Sequence, residues 1–420
     1  MITQTIRTVG GLDRTLRTLF WTTLIFRAGT MAYPFLSAYL LLSGRISTGR
    51  AGFIVAAFGV GALIADLSAG VVLGRVSARA AIVFGLVLNA VILVVVPPLR
   101  DTGALIPAVL VWGLAFELYT PASYTAIVQM APPDERKIAF SCHRLAINLG
   151  MGVGPALGGL LFALNPLALF WANAVFVLAA ALNLLVRTRR LPGIGAAGAA
   201  EPAKPRGRLV AASWREETRF WTFFGLSLPI QFAYSLPPVF ASTYVIIGLG
   251  MPSYWVGVIF TLNAAVIVLT EIPLNTLMAR VAHLPTLVSG YALTGAGFLL
   301  MGVSHTPVAL IAATLVWTAG EMIVFPGMLT YASALSAPEV SARNMSLYSA
   351  GVNVALIATP QLALLLSGSG HPALPWIAAG SAVCLALLLM LAARTSDSLW
   401  YAPSDQAAPE AELVTASHTP

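Results

Sequence analysis

Charge is the first thing this chain lacks. Of 420 residues only 9% are charged, against about 25% in a soluble globular domain. That scarcity, with 58% hydrophobic residues and a mean hydropathy of +0.86, excludes a water-solvated core, because no fold of this length hides so much apolar surface except in a bilayer. Cysteine is almost absent. Cys142 and Cys384 lie in apolar context, which gives no support to a disulfide framework or a cysteine metal cluster. No G-x-x-x-x-G-K-[ST] phosphate loop occurs, nor any H-E-x-x-H, C-x-x-C or G-x-S-x-G constellation, so the chain offers neither an ATP-driven motor nor a recognisable enzyme site. The histidines His143, His283, His305, His371 and His418 are scattered and form no ligand set, and no cofactor or metal is implied. The net charge of +7 does not indicate nucleic acid. Its cations sit in short connectors between apolar runs, the pattern of membrane topology. A cleavable signal peptide is not expected: Met1 to Arg17 is polar and basic, and the first apolar run is long enough to span.

What is present is a series of twelve apolar runs, at about 19–42, 52–73, 80–99, 105–130, 139–164, 167–186, 219–247, 254–278, 286–304, 307–331, 343–367 and 374–393. Each approximates the ~20 residues that cross a 30 Å hydrocarbon layer as a helix. They are numbered spans 1 to 12. With the N-terminus in the cytoplasm, only Arg45, Arg50 and Arg100 fall on the outer side and Arg27 falls within a span, leaving 19 of the 23 Lys and Arg at cytoplasmic ends. That asymmetry predicts a multi-pass protein of the inner or plasma membrane with both termini cytoplasmic. The stretch 187–218, rich in Ala, Gly, Pro and Arg, reads as a cytoplasmic linker. It separates a bundle of six spans (1–186) from a second (219–394), and the polar tail 395–420 reads as disordered.

The two halves repeat each other at an offset of 205. Phe35, Ser37 and Tyr39 recur as Phe240, Ser242 and Tyr244; Asp66 as the acid Glu271; Arg75 as Arg280; Trp112 as Trp317; Pro121 as Pro326. Matches among Trp, Pro, Tyr and charged residues at one shift mean more than aliphatic matches do in a Leu/Ala-rich chain. The expectation is an all-α polytopic membrane protein, twelve transmembrane helices in two pseudo-symmetric six-helix bundles, with a site between repeats.

Span 5 carries Gly150-Met151-Gly152-Val153-Gly154-Pro155-Ala156-Leu157-Gly158-Gly159. Gly150, Gly154 and Gly158 share one helix face and admit another helix closely, and Pro155 bends the span. A bare G-x-x-x-G packs membrane helices of any function, but the full string resembles G-x-x-x-G-P-x-x-G-G, the antiporter signature of the major facilitator superfamily. The superfamily's other signature, roughly G-x-x-x-D-R-x-G-R-R between spans 2 and 3, is matched here by Gly70, Arg75 and Arg79. Gly74 stands where the family has Asp, and Ser77 where it has the inner Gly. In the family that Asp caps the start of helix 11, a contact Gly74 cannot make. The Arg-containing span 4 signature of drug:proton antiporters is also absent. The resemblance covers about residues 15–395, and within the superfamily the chain is most like the twelve-helix drug:proton antiporter branch.

An ionisable residue within a span costs a few kcal/mol on insertion scales, so each needs a partner or a task. The spans contain Arg27, Asp66, Glu117, Arg144, Glu271 and Glu321. Arg27 is either one member of a packing ion pair with Asp66 or Glu117, or a functional group. Glu117 and Glu321 lie mid-way along spans 4 and 10, which by the resemblance face a central cavity with spans 1 and 7. A carboxyl in low dielectric resists ionisation, the property proton exchange needs, so Arg27, Glu117 and Glu321 are the candidates for proton coupling or a cationic substrate group. The plainer reading of each acid is a hydrogen-bonded packing group. By the family's arrangement Glu271 can reach Arg144 and Asp66 can reach Arg343, as a cytoplasmic gate between lobes; equally, each acid can pair inside its own lobe. Tyr33, Tyr119, Gln231 and Tyr234 are expected on the cavity wall, which suits an amphipathic organic substrate.

The resulting expectation is a secondary transporter, monomeric, whose partners are a small-molecule substrate, protons and the bilayer. It exports a drug-like or secondary-metabolite compound in exchange for protons by alternating access. The alternatives are a proton-coupled importer of a small metabolite and a non-transporting membrane receptor or scaffold.

Overall fold

A computed structural model of the chain describes residues 11–43, 46–132, 135–188, 214–278, 281–335 and 338–393. Most of the linker and the tail therefore lie outside the described residues. Those described form helices and connectors without a strand. Twelve spans are long and apolar enough to cross a membrane: Arg14–Leu42, Thr48–Arg75, Ala78–Val95, Thr102–Met130, Ile138–Leu164, Pro166–Thr188, Thr218–Gly248, Tyr254–Glu271, His283–Val303, Pro307–Ala332, Leu347–Ser367 and Leu374–Ala392. They reproduce the twelve apolar runs. Span 1 starts five residues earlier than expected, because Asp13 caps it by accepting the Thr15 amide at 2.8 Å. The threonines that follow bury their hydroxyls on the preceding turn: Thr18 on Arg14, Thr22 on Thr18 and Thr23 on Leu19. Arg27 consequently sits near the middle of its span and in the last turn of helix Arg14–Ala28, where the free carbonyls of a helix C-terminus favour a cation.

Three spans near the proposed site are interrupted. Span 1 breaks after Ala28 and resumes through a short turn at Tyr33–Phe35 into Leu36–Leu42. Pro34 has no N–H to give to the preceding turn. The break exposes the amides of Met31 and Ala32, and both donate to Asn173 Oδ1 of span 6, at 3.2 and 3.1 Å. Span 7 breaks between Ser235 and Pro237, the corresponding place in the repeat, where Pro237 and Pro238 again remove donors. Span 4 breaks at Leu118; Pro121 cannot bond the carbonyl four residues back, that of Glu117. The Asn173 clamp makes a direct prediction. Met31 N also donates to Gly29 O at 2.7 Å, so Asn173→Leu leaves the buried Ala32 amide unpaired, at about 1–3 kcal/mol, and the thermal midpoint of the detergent-solubilised protein falls below that of an Asn173→Asp control, which keeps the acceptor.

The chain packs into two compact units. The first combines residues 1–204 with Pro237–Val268 and Ile357–Pro372; the second comprises Pro205–Leu236, Leu269–Leu356 and the chain from Ala373. The first unit therefore holds parts of spans 7, 8 and 11 packed with spans 1 to 6. There Ser37 Oγ donates to Val239 O at 2.7 Å, Thr243 Oγ1 donates to Ser37 Oγ at 2.9 Å, and Ser37 lies 3.4 Å from Ser242, its own counterpart in the repeat. Equivalent residues meet one another only at a symmetry axis, so the 205-residue echo is also a geometrical one at this point.

Candidate functional site

In the first unit, Arg27 is 8% exposed. Its Nη2 donates to Thr120 Oγ1 of span 4 at 3.0 Å, and its guanidinium carbon lies 4.9 Å from the Phe116 ring centre and 5.1 Å from that of Phe26. Glu117 is half-buried. It interacts with the same Thr120 hydroxyl and lies within electrostatic reach of Arg27 and Asp66. Arg27 and Glu117 are thus brought together through Thr120, between aromatic faces that favour a cation. Tyr119 is fully buried, its hydroxyl 2.7 Å from Thr23 and its ring 4.6 Å from that of Phe26. Tyr33 stacks on Phe58 at 4.0 Å, and its hydroxyl is buried with no hydrogen-bond partner among the described residues.

In the second unit, Tyr234 donates to Trp317 O at 2.8 Å and lies 3.0 Å from Thr294 Oγ1. It is within electrostatic reach of Glu321. Gln231, on the same helix, gives its Nε2 to Ser227 at 3.1 Å and keeps Oε1 buried without a partner among the described residues. The second unit therefore joins a mid-span acid to a tyrosine and a tryptophan-bearing helix.

The span 5 glycines serve two neighbours. On one face a Cβ at Gly150 would stand 2.5 Å from Arg27 Cβ, at Gly154 2.9 Å from Thr30 O, and at Gly158 3.2 Å from Met31 O. The string is the bed for the broken part of span 1. On another face, a Cβ at Gly159 would meet Ser253 O at 2.7 Å and one at Gly152 would meet Ala264 Cβ at 2.8 Å, both on the span 8 side. Span 8 answers with Gly257, whose Cβ would be 2.7 Å from Ala156 Cα. Two hydroxyls fasten the seam: Ser253 donates to Gly159 O and Thr261 to Gly152 O, each at 2.7 Å. Span 2 and span 11 repeat the arrangement. Gly52 is the counterpart of Gly257 and Gln361 that of Ala156; a Cβ at Gly52 would be 3.0 Å from Gln361 Cα. These glycines at the 205 offset are a signal that the pattern of Trp, Pro and charge does not reveal.

The profile of the Major Facilitator Superfamily matches residues 19–360 and, a second time, 249–414. The chain belongs to the Major Facilitator Superfamily. It is 25% identical over 334 residues to the MFS-type transporter YqjV of Bacillus subtilis (strain 168), covering 74% of this chain and 76% of that one. It is 28% identical over 142 residues to a probable sugar efflux transporter of Mannheimia succiniciproducens, about a third of each chain. Among solved structures it resembles a POT family transporter in complex with 5-aminolevulinic acid (TM-score 0.75, 14% identity, covering 91% and 96%). It also resembles the nucleoside transporter NupG (TM-score 0.74, 13% identity, covering 90% and 99%). At these identities the structural likeness shows the superfamily fold.

Within that fold the span 2–3 signature is loosely held. Gly70 and Gly74 are exposed, and a Cβ on either would meet nothing within 4 Å. Arg75 is exposed, whereas Arg79 reaches span 6 and donates to Leu185 O at 3.4 Å. Of the gate candidates, Asp66 and Arg144 belong to the first unit and are exposed; Glu271 belongs to the second and is half-buried. The Arg343 side chain lies outside the described residues.

Sequence reasoning passed over one residue. His143, set aside as one of five scattered histidines, is buried beside Arg144, with its ring nitrogens 3.1 Å from Thr23 and 3.2 Å from Ser123. The available signal was its position inside span 5, since an ionisable group at membrane depth needs partners wherever it occurs.

Proposed function

We propose that this superfamily member is a secondary transporter of the cell membrane, with both termini cytoplasmic, that exports a small amphipathic organic compound in exchange for protons. The observation that carries this reading is the Arg27–Thr120–Glu117 cluster, an acid and a cation held mid-span among Phe26 and Phe116. A purely structural helix contact has no need of such groups at membrane depth. Glu117 and Glu321 are assigned as proton carriers, one per half. The moving parts are the six-span halves 1–186 and 219–394, joined by the linker 187–218, and the protein acts as a monomer. The seams between spans 5 and 8 and between spans 2 and 11 are the contacts that part and re-form in alternating access. When the transporter faces outward, Glu271 meets Arg144 and Asp66 meets the Arg343 end of span 11, as a cytoplasmic gate. The hydroxyl of Tyr33 and carbonyl of Gln231, without partners among the described residues, suit a substrate with its own hydrogen-bonding groups.

A second reading, export of a sugar, draws support from the relative described as a probable sugar efflux transporter. One experiment separates them: purified protein in proteoliposomes under an imposed pH gradient, offered lipophilic cations, sugars and organic acids. Gradient-driven accumulation of amphipathic cations is expected. Accumulation of sugars alone selects the second reading, and pH-independent flux of every probe rejects proton exchange.

A further inference from the structure

We propose that His143 is a proton-binding site that ties spans 1, 4 and 5 together in two alternative hydrogen-bond arrangements. The inference rests on hydrogen-atom bookkeeping. Thr23 Oγ1 donates its only hydrogen to Leu19 O at 2.8 Å, and Ser123 Oγ donates its only hydrogen to Thr120 O at 2.8 Å. His143 Nδ1 lies 3.1 Å from the first oxygen, and Nε2 lies 3.2 Å from the second. With both hydroxyl hydrogens on helix carbonyls, each ring nitrogen must supply its own hydrogen. Only the imidazolium carries two. A neutral ring carries one, so one hydroxyl must then turn from its carbonyl to the bare nitrogen. The Thr23 oxygen has a second lone pair, which the Tyr119 hydroxyl fills at 2.7 Å. The charge on the ring thereby selects between two sets of contacts linking three spans.

Span 1 brings Arg27, and span 5 carries Cys142 and Arg144 on either side in sequence, Arg144 with its side chain exposed. Span 4 brings Tyr119, the Tyr124 ring at 5.5 Å, and Glu117 beyond Thr120. The ring is 4% exposed, yet it borders a small opening lined by Leu12, Leu16, Phe20, Ile127 and Cys142. That opening lies toward the N-terminal end of span 1. The site deepens the proton-exchange reading and rests on it only for its use in transport, not for its titration.

The test is nuclear magnetic resonance of the full-length protein, labelled with nitrogen-15 at histidine and reconstituted in nanodiscs. His143→Gln assigns the signal. The expected result is a conversion from a ring with one N–H to a ring with two as the solution is acidified from about pH 7 to about pH 4. Thr23→Val and Ser123→Ala each remove an acceptor of the charged ring, and each makes protonation require a solution more acidic by about one pH unit. A His143 signal that stays neutral across that range, or that ignores both hydroxyl substitutions, overturns the proposal. If His143 titrates as described while no probe shows gradient-driven flux, the proton-exchange reading fails and the site stands.

Discussion

Oxidation of a Gly152→Cys, Ala264→Cys protein is expected to abolish gradient-driven flux, and reduction to restore it. The reasoning starts from distance. A Cβ at position 152 would lie 2.8 Å from that of Ala264, and a disulfide needs about 3.5–4.5 Å between its β-carbons. A small widening of the span 5–span 8 seam therefore accommodates the bond. The native Cys142 and Cys384 are free and are replaced by alanine in the background to prevent mispairing. Coupling free energies in transporters and allosteric proteins are a few kcal/mol, far too little to break a covalent link. If alternating access requires this seam to part, a cross-linked molecule is arrested. The measurement pairs the cross-linked fraction, read from thiol blocking, with flux of the probe identified in the proteoliposome screen. Full flux from a fully cross-linked population would show that the seam is a permanent helix contact, and the span 5 string a packing device alone.

Glu117→Gln is expected to eliminate accumulation against a gradient, while Thr120→Val reduces it by roughly ten- to a hundredfold, the equivalent of one hydrogen bond to charged groups. Glutamine keeps the size and hydrogen-bonding capacity of the side chain but cannot carry a proton. Substrate equilibration without a gradient should survive, because proton exchange is then the only function removed. Glu321→Gln provides the companion measurement in the second half; if both variants accumulate probe at the parental level, neither acid is the proton carrier. A stability cycle distinguishes a working acid from a packing acid. Arg27→Met deprives Glu117 of its nearby cation and Thr120 of its donor, and should lower the thermal midpoint, as loss of a hydrogen bond from a charged group costs about 1.5–3 kcal/mol. The double variant with Glu117→Gln should recover much of that loss, since contacting residues couple by about 0.5–3 kcal/mol. Recovery of stability without recovery of accumulation identifies Glu117 as both packed and functional.

The sequence was most legible where the physics is local. Each span is announced by its own run of apolar residues, and twelve were found where the structure has them. Span 1 begins five residues before its apolar run, because Thr15, Thr18, Thr22 and Thr23 look polar in the sequence but satisfy or bury their hydroxyls within the bundle. The breaks in spans 1, 4 and 7 were not anticipated. Pro34, Pro121 and Pro237 were visible, but whether a proline bends or interrupts a helix depends on who receives the freed amides and carbonyls. In span 1 that partner is Asn173, more than a hundred residues away.

From composition, spacing and repetition alone, the chain already determined its solvent, its number of crossings, its internal duplication and the smooth face of span 5. These follow from residues close in sequence, or from one fixed offset. Tertiary structure alone decided which helices occupy the glycine faces, that Arg27 meets Thr120 on the way to Glu117, and that His143 lies between two hydroxyls of other spans. The reason is that a helix presents side chains in every direction at each turn. Apolar periodicity states that a residue is inside the membrane, but only packing of distant spans determines which polar group it finds there.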